Sequence, residues 1–385
     1  MARGRLGSLA RAARFAPLLL TGAVVACRPP GATTAAVPPS GWSEPAPRVR
    51  LVAQTEIPTG TRLEPLEVGG LSGLTYDRDG DLFYAVVDDP TSHPPPRVLR
   101  FRWHPGQPKH PEHPEQPEAA PALVDWLPLT QGGVPLPVEG TDPEGLARGA
   151  EGDFFVSSEG DVKGGLGPWV AHFAASGEWL GRLTMPHAFD VGERRGIAHN
   201  RGFEALTLDG DGSLVAGAEG PLLQDLPAPP GELERTRLLR WDRPGTAATP
   251  HQWFYPVDPP HAKAPEAGKL EAAGLVEILP WRGGFLTLER SWVEGVGFAL
   301  KLYETTLAGA EELGGVEAWG GRRARTARKR LIADFGSLGV PMDNYEALAW
   351  GPPGDDGKPL LVVMSDNNFN ATESTYLLAF ALTAD

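Results

Sequence analysis

The sequence repeats one pattern of short strands five times between residues 71 and 382, and this repetition limits the fold more than any other feature. Each repeat opens with a strand, a turn and a second strand, as in FEALTLD (203–209) and SLVAGAEG (213–220). Two more strand-like segments complete a repeat, for example 236–242 and 251–257. Sheets of four antiparallel strands repeated along a chain are typical of the blades of a β-propeller.

The last repeat is one strand short. It contains the segments 346–352, 359–367 and 375–382, whereas RVRLVAQTEI (48–57) precedes the first repeat and belongs to none. We therefore predict an all-β fold, a five-bladed propeller whose final blade is closed by the N-terminal strand, which leaves only short protected edges. A sixth blade would have to lie in 258–272 or 306–327, but both segments are rich in Gly, Ala, Pro and charge and favour loops.

The N-terminus has the pattern of an export signal. Residues 1–27 contain four Arg and no acid, an apolar segment (15–25) too short to span a bilayer, and Cys27 at the end. This resembles a bacterial lipoprotein signal and implies lipidation of Cys27, a tether over 28–48 and a propeller domain over 49–385. We expect a lipid-anchored protein of the cell envelope, on the outer membrane or the periplasmic face if the cell has two membranes. The alternative is an ordinary cleaved signal.

Composition excludes several functions. Cys27 is the only cysteine, so disulfides and thiolate chemistry are excluded from the domain. The chain has 35 basic and 49 acidic residues, and loss of the four Arg of the signal leaves 31 against 49, a net charge of −18. So acidic a domain is suited to cations and unsuited to nucleic acid. We expect a monomer whose only membrane contact is the lipid.

Acidic residues recur where the repeats begin. The first strand of a propeller blade lines the central channel, so the residues that open these strands should form a ring at one mouth. They are Ser72, Glu144, Glu204, Gly274 and Glu346. Three carboxylates around one axis repel one another unless a cation lies among them, and oxygen ligands favour Ca²⁺. The metal ligands predicted here are Ser72, Glu144, Glu204 and Glu346. The alternative is that the acids only cap backbone amides.

A second acidic ring is expected outside the first, because the second strands end at the same mouth. Its members are Asp88, Asp89, Glu159, Glu219, Glu289 and Asp366. Arg201 and Arg290 are close to these acids in the sequence and would hold an anionic ester. We predict metal-assisted hydrolysis with Glu219, Glu289, Arg201, Arg290 and Asp366 as the catalytic residues. The alternative is that the two arginines only pair with neighbouring acids. The sequence contains no GxSxG, HExxH, Walker or dinucleotide-binding motif.

These motifs carry a resemblance to a known family. LSGLTYD with VVDD, DPEGL with SSEG, HNRGFEAL with GAEGPL, LERSW, and DNYEALA with SDNNF occur in the order found in the phytase-like domain family, esterase-like activity of phytase. The resemblance covers about residues 49 to 382 and implies a secreted or periplasmic propeller that hydrolyses phosphate or carboxylate esters.

The axial residues are also similar to those of calcium-dependent nucleotidases of the apyrase type. That likeness implies Ser72, Glu144, Glu204 and Glu346 as the calcium shell, with Gly274 departing from the pattern. The lysine-rich phosphate cradle of calcium phytases is absent, which argues against phytate. We therefore expect cleavage of a small anionic phosphate ester. The alternative function is a non-catalytic, calcium-stabilised propeller that serves as an interaction module of the envelope.

Overall fold

Five four-stranded antiparallel sheets and two short two-stranded sheets occur in the described part of the chain, which comprises residues 42, 44–89, 95–106 and 120–383 of a computed structural model. The predicted signal, Cys27 and most of the tether lie outside the described residues. A compact unit extends from Glu44 to Asp385. The strands are β1 (Arg48–Ile57), β2 (Arg62–Leu63), β3 (Leu66–Glu67), β4 (Leu71–Asp77), β5 (Leu82–Val87), β6 (Arg97–Arg102), β7 (Ala122–Pro128), β8 (Thr130–Gln131), β9 (Val134–Pro135), β10 (Pro143–Arg148), β11 (Phe154–Ser158), β12 (Trp169–Phe173), β13 (Trp179–Arg182), β14 (Phe203–Leu208), β15 (Leu214–Ala218), β16 (Arg235–Trp241), β17 (His251–Pro256), β18 (Glu271–Trp281), β19 (Gly284–Val293), β20 (Gly297–Thr306), β21 (Arg328–Asp334), β22 (Tyr345–Pro353), β23 (Pro359–Ser365) and β24 (Thr375–Thr383).

Helical structure is minor in the described residues. Single turns of 3-10 helix occur at His187–Phe189, Leu223–Asp225 and Phe335–Ser337. No helix in the described part of the chain is long and apolar enough to cross a membrane.

Strand order confirms the predicted five-bladed propeller and its closure. Four blades are formed by consecutive strands, β4 to β7, β10 to β13, β14 to β17 and β18 to β21. The fifth has the order β22, β23, β24, β1, and β1 pairs with β24 from Arg48 opposite Thr383 to Ile57 opposite Thr375. Residues 258–270 and 307–327 contain no strand, so the segments considered for a sixth blade are loops, apart from the start of β18.

The five first strands surround the central axis, each against its neighbours. Their close approach explains why Gly or Ala follows the acid in the repeated pattern. A Cβ at Gly73 would lie 2.4 Å from the carbonyl oxygen of Glu144, and one at Gly145 would lie 2.5 Å from that of Glu204. These glycines therefore let neighbouring blades meet at the axis.

The apolar core lies between adjacent blades. On the first blade Phe83 and Phe101 stack with ring centroids 5.2 Å apart, and they belong to the same buried cluster as Val362 and Met364 of the fifth blade. Alternation along the strands produces these contacts, because every second residue faces the neighbouring sheet.

Candidate functional site

A β-bulge in each first strand sets the direction of the axial side chains. In every blade the pairing of the first and second strands shifts by one residue at this position. The residues within the shifts include Ser72, Glu144, Glu204, Val276 and Glu346. A bulge redirects a side chain out of the regular alternation. All four predicted metal ligands thus occupy equivalent positions, whereas in the fourth blade Val276, and not Gly274, is their counterpart.

The second ring contains one basic residue. Leu71 pairs with Val87, and Leu275 pairs with Glu289 in the same register, so the residues that follow, Asp88 and Arg290, are equivalent. The members of this ring are Asp88, Glu159, Glu219, Arg290 and Asp366. The structure does not bring Glu289 to the ring, because a shift of one residue along a strand turns the side chain to the other face.

Arg290 binds three carboxylates, two from the third blade and one from the fifth. One terminal nitrogen donates to Asn344 Oδ1 at 2.6 Å and also contacts Glu346. The other nitrogen lies 3.4 Å from Glu219 Oε1 and 3.5 Å from Glu204 Oε1. Burial works to lower the pKa of Arg290, but Glu346, Glu204 and Glu219 outweigh it and raise this pKa.

Arg201 approaches Glu219 from the other side. Its Nε lies 3.3 Å from Glu219 Oε2, and its Nη2 donates to the carbonyl of Ala273 at 2.7 Å. Gly274 makes room for this pair, since a Cβ there would lie 2.4 Å from Glu219 Cγ. The two predicted arginines therefore meet at one carboxylate, that of Glu219.

A second group of acids contacts no guanidinium among the described residues. Ligand oxygens of Asp88, Asp142 and Glu144 lie within 4.8 Å of one another and could hold a metal ion. Burial, then the charge of Asp142, raises the pKa of Asp88 to about 9. Burial and the charges of Asp88 and Asp142 raise the pKa of Glu144 well above its ordinary value. The carboxylates are thus held close together in a poorly solvated place, and a cation would relieve their repulsion.

Two buried oxygens at the same mouth have no hydrogen-bond partner among the described residues. They are Ser72 Oγ and Glu204 Oε2, on side chains of residues only 4% and 7% exposed. A buried polar atom without a partner is costly, so such atoms point to a ligand that satisfies them. Carboxylate and hydroxyl oxygens without nitrogen or sulfur fit Ca²⁺ by their chemistry.

The predicted ring of metal ligands is therefore divided. Glu204 and Glu346 contact Arg290, whereas Glu144 lies with Asp88 and Asp142. We name the first group, with Glu219, Arg201 and Asn344, the arginine side of the mouth. Asp88, Asp142 and Glu144 form its acidic side.

Asp366 and Glu289 have different surroundings. Asp366 is buried and accepts a hydrogen bond from the backbone of Asn368 at 2.9 Å, and burial followed by the charge of Glu346 raises its pKa well above the ordinary value. Glu289 accepts from the Tyr255 hydroxyl at 2.6 Å and pairs with Lys329 between the third and fourth blades. Glu289 thus belongs to a separate polar network.

Two cavities open at the mouth. The larger, about 860 Å³, extends from Arg201, Glu219 and Arg290 to Trp292 and Phe298. The smaller, about 220 Å³, is lined by Asp88, Asp142 and Glu159, and His199 and Asn200 line both. The arginine side therefore faces a space of the size that binds small organic molecules.

Sequence reasoning missed Asp142 and Asn344. Both stand two residues before an axial glutamate, in DPEGL and in DNYEALA. The sequence signal that could have identified them is a polar residue two positions before the axial glutamate, where the chain enters the mouth.

The fold and the site define a class: a five-bladed β-propeller with carboxylates collected at one axial mouth. The family is shown by the sequence itself. A family model described as phytase-like, esterase-like activity of phytase, matches residues 66–369, and the chain belongs to this family. No curated protein matches the sequence.

Similar solved structures share little sequence with this chain. A mannose phosphorylase from Leishmania mexicana is 9% identical, with 87% of this chain and 92% of that one covered and a TM-score of 0.45. A periplasmic gluconolactonase from Pseudomonas aeruginosa is 13% identical, with coverages of 88% and 99% and a TM-score of 0.35. A bifunctional GH43-CE protein from Bacteroides eggerthii is 11% identical with a TM-score of 0.40; 84% of this chain is covered but only 34% of that protein. Likenesses this distant say nothing about activity.

Proposed function

We propose that the protein is a calcium-dependent hydrolase of small phosphate esters, acting at the mouth of the propeller. One observation carries the proposal: Arg290 replaces an acid in the second ring, so cationic groups and an uncompensated acidic cluster lie at one mouth. The family description, which names an esterase-like activity, supports hydrolysis.

Asp88, Asp142 and Glu144 would hold the calcium ion, with Ser72 Oγ and Glu204 Oε2 as further oxygens at the mouth. Bound there, calcium would supply positive charge against the negative charge that develops on the ester in the transition state.

The arginine side binds the substrate. Arg201 and Arg290 border the larger cavity and present guanidinium groups to the oxygens of an anionic ester. Glu219 contacts both arginines and faces the same cavity, so its carboxylate takes the proton of the water that attacks phosphorus. The bond from phosphorus to the ester oxygen breaks, and the leaving oxygen takes a proton from solvent. Asp366 holds the backbone of Asn368, another lining residue, and so positions the rim.

The test is hydrolysis of p-nitrophenyl phosphate and p-nitrophenyl acetate by the purified propeller, with calcium and with EGTA. We expect phosphate release that EGTA abolishes. Glu219→Gln should lower kcat/KM at least about 100-fold, in the range expected for an essential acid or base. Glu204→Gln should lower kcat/KM as well, because it removes an oxygen from the calcium site. Glu151→Gln changes an exposed acid in the β10 to β11 turn and serves as the control. Undiminished release by Glu204→Gln would reject this site.

The second candidate is a non-catalytic propeller that calcium stabilises and whose faces bind a partner in the envelope. The observation in its favour is that Arg290 already contacts Glu204, Glu219 and Glu346, as a purely structural brace would. Calcium binding by calorimetry without turnover of either ester would support this candidate over hydrolysis.

Envelope anchoring through Cys27 is a separate part of the proposal, supported by the lipoprotein-like pattern of residues 1–27. Mass spectrometry of the protein from membranes tests it. We expect a mature N-terminus at Cys27 carrying a diacylglycerol thioether, and Cys27→Ser should release the protein from the membrane fraction. An unmodified N-terminus elsewhere would contradict the anchor.

A further inference from the structure

The fourth blade extends beyond the others at the mouth. The second strands of the other blades end at Val87, Ser158, Ala218 and Ser365. In β19 the equivalent residue is Glu289, and the strand continues through Val293, four residues further and about 13 Å at the usual rise. The hairpin of β19 and β20 therefore forms a wall beside the arginine side of the mouth.

Aromatic residues cover the inner surface of this wall. Trp292 pairs across the hairpin with Phe298, and their ring centroids lie 6.4 Å apart. Both line the larger cavity, and neither belongs to an apolar core cluster of the described residues. Their aromatic surface is therefore not used in holding the blades together.

Two exposed leucines continue the apolar surface. Leu270 and Leu233 are 58% and 41% exposed, and both line the same cavity. The hairpin holds Leu270 in place, since the backbone of Glu294 donates to the carbonyl of Leu270 at 2.9 Å. Opposite Trp292 on β18 is Ala272, a small residue that also borders the cavity.

The remaining charged residues of the cavity argue against a second anionic group. Away from the arginines, its wall includes the acids Glu232, Glu234, Glu271 and Glu373. Glu232 pairs with Arg323 and Glu271 pairs with Lys263, whereas Glu234 and Glu373 have no ion-pair partner among the described residues. A polyol with many phosphates would meet these two carboxylates and be repelled. A substrate with one anionic end and one apolar end would instead place each end against matching surface.

We infer that Trp292, Phe298, Leu270 and Leu233 form an apolar subsite for the aromatic leaving group of a monoester whose phosphate lies against Arg201 and Arg290. This rests on the proposed function for the phosphate end, and it adds the chemical class of the rest of the substrate. Burial of an aromatic ring against such a surface is worth about 1.5–3 kcal/mol, which corresponds to about 10- to 150-fold in affinity.

The test compares phenylphosphonate with methylphosphonate by calorimetry on the calcium-loaded protein. Neither compound can be hydrolysed at its phosphorus–carbon bond, so binding is measured without turnover. We expect phenylphosphonate to bind at least about 10-fold more tightly. Trp292→Ala should remove most of this preference, and Trp292→Phe should keep most of it.

Leu270→Ala and Leu180→Ala are matched variants, because Leu180 is 57% exposed and lies on β13 of another blade. Leu270→Ala should lower the affinity for phenylphosphonate and leave that for methylphosphonate unchanged, whereas Leu180→Ala should change neither. Leu270→Ala keeps the test decisive if Trp292→Ala does not fold.

The outcomes separate this inference from the proposed function. A preference for phenylphosphonate without turnover of phenyl phosphate would contradict the proposed hydrolase activity and support the apolar subsite. Turnover with equal binding of the two phosphonates, or a preference that Trp292→Ala leaves intact, would overturn the subsite. Absence of phenylphosphonate binding would overturn it as well.

Discussion

At the scale of single residues, Arg290 determines how charge is distributed at the mouth. It stands where the other blades carry Asp or Glu, and its guanidinium contacts Glu204, Glu219 and Glu346. The three acids thereby have a counter-charge that belongs to the chain itself. Asp88, Asp142 and Glu144 are not among the carboxylates that Arg290 contacts, and they remain available to an external cation.

Arg290→Gln should therefore lower the free energy of unfolding by about 3–5 kcal/mol in EGTA, because it leaves buried carboxylates unpaired. Calcium should recover part of the loss, and the stabilisation by calcium should be larger than in the parent protein. Urea unfolding with EGTA and with calcium measures both. Arg290→Lys keeps the positive charge but not the planar guanidinium, and its free energy of unfolding should fall less than that of Arg290→Gln. Equal stability of Arg290→Gln and the parent in EGTA would show that the acids do not depend on this residue.

Glu277 is a second unusual residue near the axis. It is 1% exposed, and its Oε1 accepts from the backbone nitrogens of Leu206 at 3.0 Å and Ile278 at 2.8 Å. Burial raises its pKa well above the ordinary value despite these bonds. Between the ordinary carboxyl pKa and this raised pKa, the folded protein holds a proton on Glu277 that the unfolded chain has lost. The contribution of Glu277 to the free energy of unfolding is therefore fully present below the ordinary carboxyl pKa and is lost as the pH rises through this range.

Glu277→Gln keeps both accepted hydrogen bonds and has no charge to bury. We expect the variant to be more stable than the parent by about 1–3 kcal/mol at neutral pH, with the difference disappearing towards pH 4.5. Thermal unfolding at a series of pH values measures it. Glu271→Gln, at the half-buried start of β18 where the carboxylate pairs with Lys263, should show no such gain. A difference between Glu277→Gln and the parent that stays constant with pH would contradict the raised pKa.

At the scale of elements, close contact between strands fixes the arginine side. Gly274 on β18 leaves the space that the side chain of Glu219 fills. Gly274→Ala should displace Glu219 from Arg201, lower kcat/KM about 10-fold or more and cost about 1–3 kcal/mol of stability. Gly181→Ala on β13 is the control, because no atom lies within 4 Å of its added Cβ. Full activity of Gly274→Ala would remove Glu219 from the mechanism.

The strands and their order could be predicted from the sequence, whereas the register could not. Alternating apolar residues and the leftover segment at 48–57 were enough for five blades and closure by β1. The bulge in β18 is invisible in a sequence, and it places Val276 at the position predicted for Gly274. The pairing of Leu275 with Glu289 places Arg290, and not Glu289, in the second ring. A register difference of one residue changes the face of every side chain, so periodicity alone could not decide between Glu289 and Arg290.

Further parts of the site depend on contacts between blades that are distant in sequence. Asp88, Asp142 and Glu144 come from two blades, and their short separations follow from how those blades meet at the axis. The apolar wall has the same origin, because LERSW predicted a strand but not that β19 would outreach its counterparts.

At the scale of the whole molecule, the acidic mouth should make stability depend on both pH and calcium. Burial and neighbouring charges raise the pKa of Asp88 to about 9 and that of Glu159 to about 8. Without metal, the folded protein binds more protons than the unfolded chain between the ordinary carboxyl pKa and these values. The contribution of these groups to the free energy of unfolding should therefore be highest near pH 4 to 5 and fall as the pH rises to about 9.

Calcium should reverse this dependence, because it binds the carboxylates in their ionised form and displaces their protons. We expect the calcium affinity to rise between pH 6 and 9, with protons released on binding, and stability at 100 times Kd to increase by about 2.7 kcal/mol. Calorimetry in two buffers of different ionisation enthalpy counts the protons, and thermal unfolding in EGTA and in calcium measures stability. Asp142→Asn should weaken calcium binding and reduce the proton release, whereas Asp356→Asn, in the exposed β22 to β23 turn, should change neither. Calcium binding that is independent of pH, or equal affinity in Asp142→Asn, would mean that the ion binds away from this cluster.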